Sequence, residues 1–290
     1  MITVVIKGGL GNQLFQYASA FSLAKRLNQP LALDISFFPS QTLRGYKLDK
    51  LAIDPKVVLN PDISPGMKLF KNRYINQLVR RSKNLKRIHI GNKTTYLVEL
   101  AGSFVPEFFE IEAENIFMNG YFQCEDYFRD CRAEILGAFT PTYDPEEEYI
   151  RTQELIRNSN SVAVHVRHGD FAKGDRTIYH YILGEDYYTD AIKEMRRKVN
   201  NPQFYCFSDD IEWVTQNIGG TDDFHFVSLK TSHADIDEMM LMKNCNHIIT
   251  ANSTFSWWAA WLNEHKDAIR IVPKRPYGPD KLIPADWIKM

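Results

Sequence analysis

Residues 161–170, SVAVHVRHGD, join the composition of a buried strand to a dense group of polar residues. The first part of this stretch, 161–166, is rich in valine and predicts a strand. In open α/β sheets ligands bind beyond the carboxyl ends of the strands, so Arg167 is predicted to lie at such a crevice. Its planar guanidinium matches phosphate oxygens, which favours an anionic ligand. The alternative is an ion pair between Arg167 and Asp170 that closes the corner after the strand.

The chain beyond this strand alternates between strand-like and helix-like segments, which predicts a parallel, doubly wound sheet. The predicted strands are 162–167, 204–208, 224–229, 247–251 and 269–273, and the predicted helices are 186–199, 211–217, 235–244 and 255–265. Polar residues follow three of these strands, and we expect them to converge at one edge of the sheet. They are His165, Arg167, Ser208, Asp209, Asp210, Asn252, Ser253 and Thr254.

Residues 252–262, NSTFSWWAAWL, predict a helix that starts directly after a strand. Asn252, Ser253 and Thr254 are helix-capping types, and capping alone would explain them. On the positive end of a helix the same hydroxyl and backbone N–H groups also form a cradle for phosphate. The tryptophans that follow are predicted to pack into the core rather than to stack on a sugar. At the neighbouring strand end, Asp209 and Asp210 offer carboxylates that would accept hydrogen bonds from a base or a ribose.

The amino-terminal region predicts a strand at 3–7, a glycine loop, and a helix that ends before Pro30. A Walker A loop is excluded because no Gly-Lys-Ser/Thr follows the glycines. Gly9 and Gly11 fit a dinucleotide fingerprint, and Asp34 ends the next predicted strand at 31–34, but Leu14 occupies the third glycine position. NAD binding is therefore an alternative. The amides of Asn12 and Gln13 suit a hydroxyl-rich ligand, or else form a helix cap and a surface position.

The composition of the 290-residue chain excludes several classes of function. A net charge of −1 gives no sign of nucleic-acid binding. The four cysteines form no C-x-x-C pair, which argues against a zinc site and predicts buried free thiols. The D-x-D triplet of Asp235 and Asp237 is interpreted as a helix start, so no metal site is predicted. Without a signal peptide or an apolar run long enough for a membrane span, a cytoplasmic protein is expected.

The stretch from Lys68 to Lys93 contains nine basic residues and no acidic one. A solvated helix face is one explanation of such a run. The other is a patch that contacts anionic lipid or a lipid-diphosphate acceptor, which would place the protein peripherally at the inner membrane.

Four motifs together resemble the α-1,2-fucosyltransferases of glycosyltransferase family 11. They are GGLGNQLFQYA at 8–18, HVRHGDF at 165–171, FSDD at 207–210 and NSTFSWWAAWL at 252–262. The resemblance runs in the family's order from residue 8 to about residue 275. His168 departs from it, because the family usually has a second arginine at this position. If that arginine helps to hold the diphosphate, donor binding here is expected to be weaker or dependent on pH.

The resemblance implies an α/β protein of GT-B type, with two Rossmann-like domains facing a central cleft. Residues 1–158 would form the acceptor-side domain with the glycine loop, and residues 159–290 the domain that binds GDP-fucose. The implied reaction is inverting transfer of L-fucose from GDP-fucose to the 2-hydroxyl of a terminal β-galactose, without a cofactor. The acceptor would be a free or lipid-linked β-galactoside, as in bacterial O-antigen synthesis. Two other classes stay open: an NAD-dependent oxidoreductase and a non-catalytic carbohydrate-binding protein.

The resemblance also implies roles for individual residues. The donor would be bound by His165, Arg167, His168, Ser208, Asp209, Asp210, Asn252, Ser253, Thr254, Phe255 and Ser256. The acceptor-side loop would contain Gly9, Gly11, Asn12 and Gln13. Arg167 would neutralise the leaving GDP. A carboxylate would take the proton from the attacking hydroxyl; Asp175 is preferred, since related α-1,6-fucosyltransferases have a glutamate at this offset. Asp170, Asp34 and His180 are the other candidates.

Overall fold

A computed structural model describes residues 1–40, 45–62, 86–90, 93–99, 104, 106–168, 183–219, 221–274 and 283–290. The chain divides into two compact units, Met1–Thr142 and Tyr143–Met290. This boundary precedes the predicted one at 158/159. The reason is that the helix Glu147–Arg157 packs on elements of the second unit, to which Tyr143 is also tied by a hydrogen bond from its hydroxyl to Asp237 (2.7 Å).

The first unit is an α/β domain around a six-stranded sheet, in the order β3-β2-β1-β6-β5-β4. Its strands are β1 Ile2–Val5, β2 Leu31–Asp34, β3 Val58–Leu59, β4 Lys86–Ile90, β5 Thr94–Val98 and β6 Asn115–Asn119. All neighbours are parallel except β4 and β5. Its described α-helices are α1 Leu10–Leu27 and α2 Arg132–Ala138. Helix α1 is buried along most of its length against this sheet, as its apolar spacing predicts.

The second unit is a doubly wound domain in which all six strands are parallel, in the order β12-β11-β10-β7-β8-β9. Its strands are β7 Asn160–Val166, β8 Pro202–Ser208, β9 Phe224–Val227, β10 His247–Ile249, β11 Arg270–Val272 and β12 Ile288–Lys289. Its described helices are α3 Glu147–Arg157, α4 Glu185–Lys198, α5 Ile211–Asn217, α6 Ala234–Asn244 and α7 Thr254–Leu262. The predicted alternation is confirmed, with shifts of a few residues at the element ends.

The structure corrects the prediction in three places. The sequence of residues 126–139 predicts one helix, whereas the structure has two 3-10 turns followed by the short helix α2. Residues 86–90 of the basic stretch form strand β4, antiparallel to β5, rather than a helix face. Strands β3, β4, β5 and β12 were not predicted. Three of them, β3, β4 and β12, are short or charged edge strands that carry little apolar pattern, whereas β5 is a buried interior strand. The four cysteines are buried free thiols, as predicted.

Candidate active site

Three polar strand ends meet at one edge of the second sheet. Strand β7 lies between β8 and β10, and all three run in the same direction. The chain leaves β7 towards β8 on one side and later returns to β10 on the other. This reversal is the topological switch point at which ligands bind in open α/β sheets. The predicted convergence of the residues after β7, β8 and β10 is therefore confirmed.

Arg167 is held in place by a carboxylate from the neighbouring strand end. Its Nε lies 3.2 Å from Oδ2 of Asp209, and the two side chains are 20% and 24% exposed. This contact anchors one edge of the guanidinium at the mouth of the sheet. Asp170, the partner expected from the sequence, lies outside the described residues. Asp209 is thus a partner of Arg167, whereas a contact to a base or a ribose was predicted for it.

His168 bridges the ends of β7 and β8. Its backbone N–H donates to Oδ1 of Asp209 (3.0 Å), and its Nδ1 lies 2.8 Å from Oδ2 of Asp210. Its ring stacks on Trp213 at 4.4 Å between centroids. The hydrogen bond from His168 lowers the pKa of the Asp210 carboxyl, and the backbone N–H of Trp213 adds to this effect. Asp210 also caps helix α5 through the same N–H of Trp213 (3.1 Å).

His165 joins β7 to helix α7 from within the core. Its Nδ1 shares a hydrogen bond with Oγ of Ser256 (2.9 Å), which also accepts the N–H of Ala251 (3.2 Å). Burial lowers the pKa of His165 to about 3, and the nearby charge of Arg167 acts in the same direction. The imidazole is therefore neutral at neutral pH. Its observed partner is Ser256 of helix α7, whereas the sequence predicted a contact to the donor.

Helix α7 starts at the carboxyl end of β10 and directs its amino terminus to this edge. Ser253 caps it by accepting the N–H of Phe255 (3.3 Å). Trp257, Trp258 and Trp261 are each at most 5% exposed, which confirms that they form core. A small, mostly apolar cavity lies beside the helix start, and it is lined in part by Thr250, Asn252, Ser253, Thr254, Trp257 and Trp287.

In the glycine loop of the first domain, the side-chain amides of Asn12 and Gln13 form hydrogen bonds within the protein. Gly8 has φ +82°, a conformation that favours glycine, and Gly9 precedes the first turn of α1. Gln13 is fully buried; its Nε2 donates to the carbonyls of Gly8 (3.0 Å) and Gly45 (2.9 Å). The alternative that Gln13 takes a surface position is therefore wrong, and its contact with a ligand stays a prediction. Asn12 accepts a hydrogen bond from Gln123 (2.9 Å). Gly11 is buried within the helix.

Of the candidate bases, only Asp34 belongs to the described residues. Its side chain is 2% exposed and its Oδ1 accepts the N–H of Ser36 (3.1 Å). A carboxylate this deeply buried does not reach an acceptor hydroxyl in this conformation. Asp170, Asp175 and His180 lie outside the described part of the chain.

The other sequence features have structural partners where they are described. Lys93 pairs with Glu114 (2.8 Å), and Arg87 bonds the carbonyl of Glu107. The D-x-D triplet lies at the start of α6, as predicted; Asp237 is 3% exposed and accepts the hydroxyls of Tyr143 and Thr231. Within the described ranges, no cluster of three or more His, Cys, Asp or Glu residues is placed to hold a metal ion.

Two sets of site residues escaped sequence reasoning. Trp213 lies inside a helix, and it stacks on His168, a residue distant in sequence, which no local pattern encodes. Lys7 follows β1 and Asn119 ends the neighbouring strand β6, and their side chains meet at 2.6 Å. The rule that polar strand ends converge would have found this second pair.

Comparison with known proteins places the chain in a family. A model described as Glycosyl transferase family 11 matches residues 1–282. The chain belongs to this family. It is a glycosyltransferase, as expected from its four motifs.

Two relatives show how the family's named activities compare with this chain. An α-1,2-colitosyltransferase of Escherichia coli is 32% identical to it, covering 100% of this chain and 99% of that protein. A galactoside 2-α-L-fucosyltransferase of Bos taurus, SEC1, is 25% identical, covering 90% of this chain and 64% of that protein.

Solved structures establish the fold. A variant of Arabidopsis thaliana FUT1 in complex with GDP matches 98% of this chain and 71% of its own, with a TM-score of 0.52 and 13% identity. NodZ α-1,6-fucosyltransferase soaked with GDP-fucose matches 90% of this chain and 92% of its own, with a TM-score of 0.50 and 16% identity. The predicted GT-B-like fold with two Rossmann-like domains is confirmed. In the described part of the chain no helix is long and apolar enough to span a membrane.

Proposed function

We propose that the protein is an inverting fucosyltransferase that moves L-fucose from GDP-fucose to the 2-hydroxyl of a terminal β-galactose. The observation that carries the proposal is the position of Arg167. It is paired with Asp209 at the switch point of the second sheet, one strand away from the start of α7. A fixed guanidinium and a helix amino terminus together suit a diphosphate.

The same two features would act on the reaction. As the bond between fucose and phosphate breaks, negative charge builds up on the leaving diphosphate. A preorganised cation and helix end stabilise that charge most in the transition state, which is where stabilisation raises the rate. In this proposal GDP-fucose is the only nucleotide and no resident cofactor or metal takes part.

The names of the relatives support the linkage and the acceptor. Both the colitosyltransferase and WbnK, an O-antigen biosynthesis glycosyltransferase of Escherichia coli that is 27% identical to this chain, come from a bacterium with surface glycans. The mammalian relatives are named as galactoside 2-fucosyltransferases. A β-galactoside, free or lipid-linked, is accordingly the proposed acceptor. Peripheral membrane contact through the stretch between Lys68 and Lys93 remains part of the proposal.

Colitosyl transfer is the second candidate, favoured by the full-length relative at 32% identity. Colitose is L-fucose without its 3-hydroxyl, so the two donors share the diphosphate and the methyl group. A site that hydrogen-bonds the 3-hydroxyl would discriminate strongly against colitose, whereas an apolar site would accept both.

The test is GDP release from GDP-fucose and from GDP-colitose across a panel of β-galactosides, with the linkage of each product determined by NMR. We expect fucosylation at the 2-position. Release of GDP only from GDP-colitose would replace fucose by the second candidate. Acceptor binding with no release from either donor would favour a carbohydrate-binding protein. A thermal shift with NAD but none with GDP would favour the oxidoreductase alternative.

A further inference from the structure

The first sheet has a switch point of its own, between β1 and β6. The chain leaves β1 through α1 towards β2, and later places β6 on the other side of β1. Lys7 and Tyr121 lie just beyond the carboxyl ends of these two strands, and Asn119 is the last residue of β6. Nζ of Lys7 donates to Oδ1 of Asn119 at 2.6 Å and lies 5.3 Å from the centroid of the Tyr121 ring.

The turn that presents Tyr121 is strained and firmly held. Phe122 has φ +52°, which is costly for a bulky residue, and it persists only where the surroundings over-determine it. Oε2 of Glu99 accepts the N–H groups of both Tyr121 (3.0 Å) and Phe122 (3.3 Å). A Cβ on Gly120 would lie 2.5 Å from Cβ of Glu99, so the close approach requires glycine.

The strained turn leaves one aromatic ring accessible. Phe122 is fully buried and packs on Phe108 and Tyr127, and Asn119 is 6% exposed. Tyr121 between them is 38% exposed. The protein thus holds a rigid aromatic surface beside an ammonium group whose position is fixed by an amide. Strain of this kind is maintained most often at ligand sites.

We propose that Tyr121 and Lys7 form an acceptor-sugar subsite on the first domain, with Glu99 as the residue that positions them. The C–H groups of a pyranose ring pack against an aromatic face, which carries negative charge density. The ammonium of Lys7 would donate to the hydroxyl oxygens of the same sugar. A neutral sugar fits better than a phosphate, because the buried carboxyl group of Glu99 lies directly behind the turn. This inference rests on the proposed function, which supplies β-galactoside as the acceptor.

The kinetic test separates acceptor binding from donor binding. For Tyr121→Ala and Lys7→Met we expect the KM for lactose to rise at least about fivefold, the scale of an aromatic contact. The KM for GDP-fucose should be unchanged. Tyr121→Phe keeps the ring and should behave as wild type. Phe226→Ala removes an aromatic ring of the second domain with nearly the same exposure, 39%, and is the control. Unchanged acceptor KM in both Tyr121→Ala and Lys7→Met would overturn the inference.

Glu99→Gln tests the positioning role. The neutral amide oxygen still accepts both N–H groups but less strongly than a carboxylate, so the acceptor KM should rise while kcat at saturating lactose stays the same. A loss of kcat without a change in KM would remove Glu99 from the inference.

Saturation-transfer NMR with lactose gives a readout that needs no donor turnover. We expect binding by the wild type, loss of the signal in Tyr121→Ala, and unchanged GDP affinity and unfolding temperature in that variant. If no donor is turned over, the proposed function fails, yet this binding pattern would still support the subsite. Equal lactose binding by both proteins, or none by the wild type, would overturn it.

Discussion

At the scale of single residues, the site depends on how a cation is held. Arg167 is anchored through Nε to Asp209, and His168 is anchored to the same strand end through Asp209 and Asp210. Where the resemblance implies a second arginine, this chain has His168, which contacts both carboxylates through its backbone N–H and its ring. In the proposed function, the main cationic role in donor binding therefore falls to Arg167.

Substitution of Arg167 should reduce turnover far more than it reduces stability. Arg167→Ala removes the fixed charge opposite the developing diphosphate, and we expect kcat to fall about 100-fold or more. Arg167→Lys should restore little of it, because the planar fork is lost. The measurement is steady-state GDP release at saturating acceptor.

Arg196→Ala is the matched control for this prediction. Arg196 forms a similar pair with Asp223 (2.9 Å), beside the amino end of β9 rather than the carboxyl edge. Its loss should leave kcat unchanged. Near-normal turnover in Arg167→Ala, or an equal loss in Arg196→Ala, would contradict the role of Arg167.

At the scale of elements, β7 and α7 are joined by the buried contact between His165 and Ser256. The pKa of His165 is about 3 in the folded protein and about 6.5 when unfolded. The unfolded chain therefore binds a proton that the folded chain excludes. The contribution of neutral, buried His165 to the free energy of unfolding is therefore fully present above pH 6.5, and it is lost as the pH falls from 6.5 towards 3.

This linkage predicts acid sensitivity of the second domain. Between pH 7 and pH 5, His165 alone should lower the free energy of unfolding by about 2 kcal/mol. His165→Gln removes the titrating group. The free energy of unfolding of this variant should therefore fall by about 2 kcal/mol less than that of the wild type between pH 7 and pH 5. All five tryptophans belong to the second domain, so urea unfolding followed by tryptophan fluorescence reports on it directly. Parallel losses in both proteins would contradict the prediction.

Elements with strong apolar patterns were predictable, and their side-chain partners were not. Periodicity located β7, β8, β10 and α7 to within a few residues, because each buries a continuous apolar face. The partners of Gln13 and His165 are residues distant in sequence, so local reasoning placed them at a ligand. The positive φ of Phe122 had no signal at all, since glycine or asparagine normally marks such a position.

At the scale of the whole molecule, the two domains share one feature, a basic side chain held by a polar partner at the switch point of the sheet. Each sheet has its switch point beside its first strand, β1 or β7, and each places a basic residue there. Lys7 is fixed by Asn119 in the first domain, and Arg167 by Asp209 in the second. With a net charge of only −1 for the chain, affinity for the proposed anionic donor must come from a local cation such as Arg167 rather than from a global field.

This arrangement leads us to expect transfer without a divalent metal ion. A fixed guanidinium and the start of α7 supply positive charge where a metal would otherwise neutralise the diphosphate. Asp235 and Asp237, the sequence's only D-x-D triplet, open helix α6, where Asp237 is committed to two hydroxyl groups. Fucose transfer measured in excess EDTA should therefore match the untreated rate, and added magnesium or manganese should not raise it. Arg167→Ala is assayed with and without manganese as well. We expect no rescue, because the site is proposed to hold no metal that could substitute for the guanidinium. Activity that EDTA abolishes and either ion restores would contradict the expectation and reopen the search for carboxylate ligands.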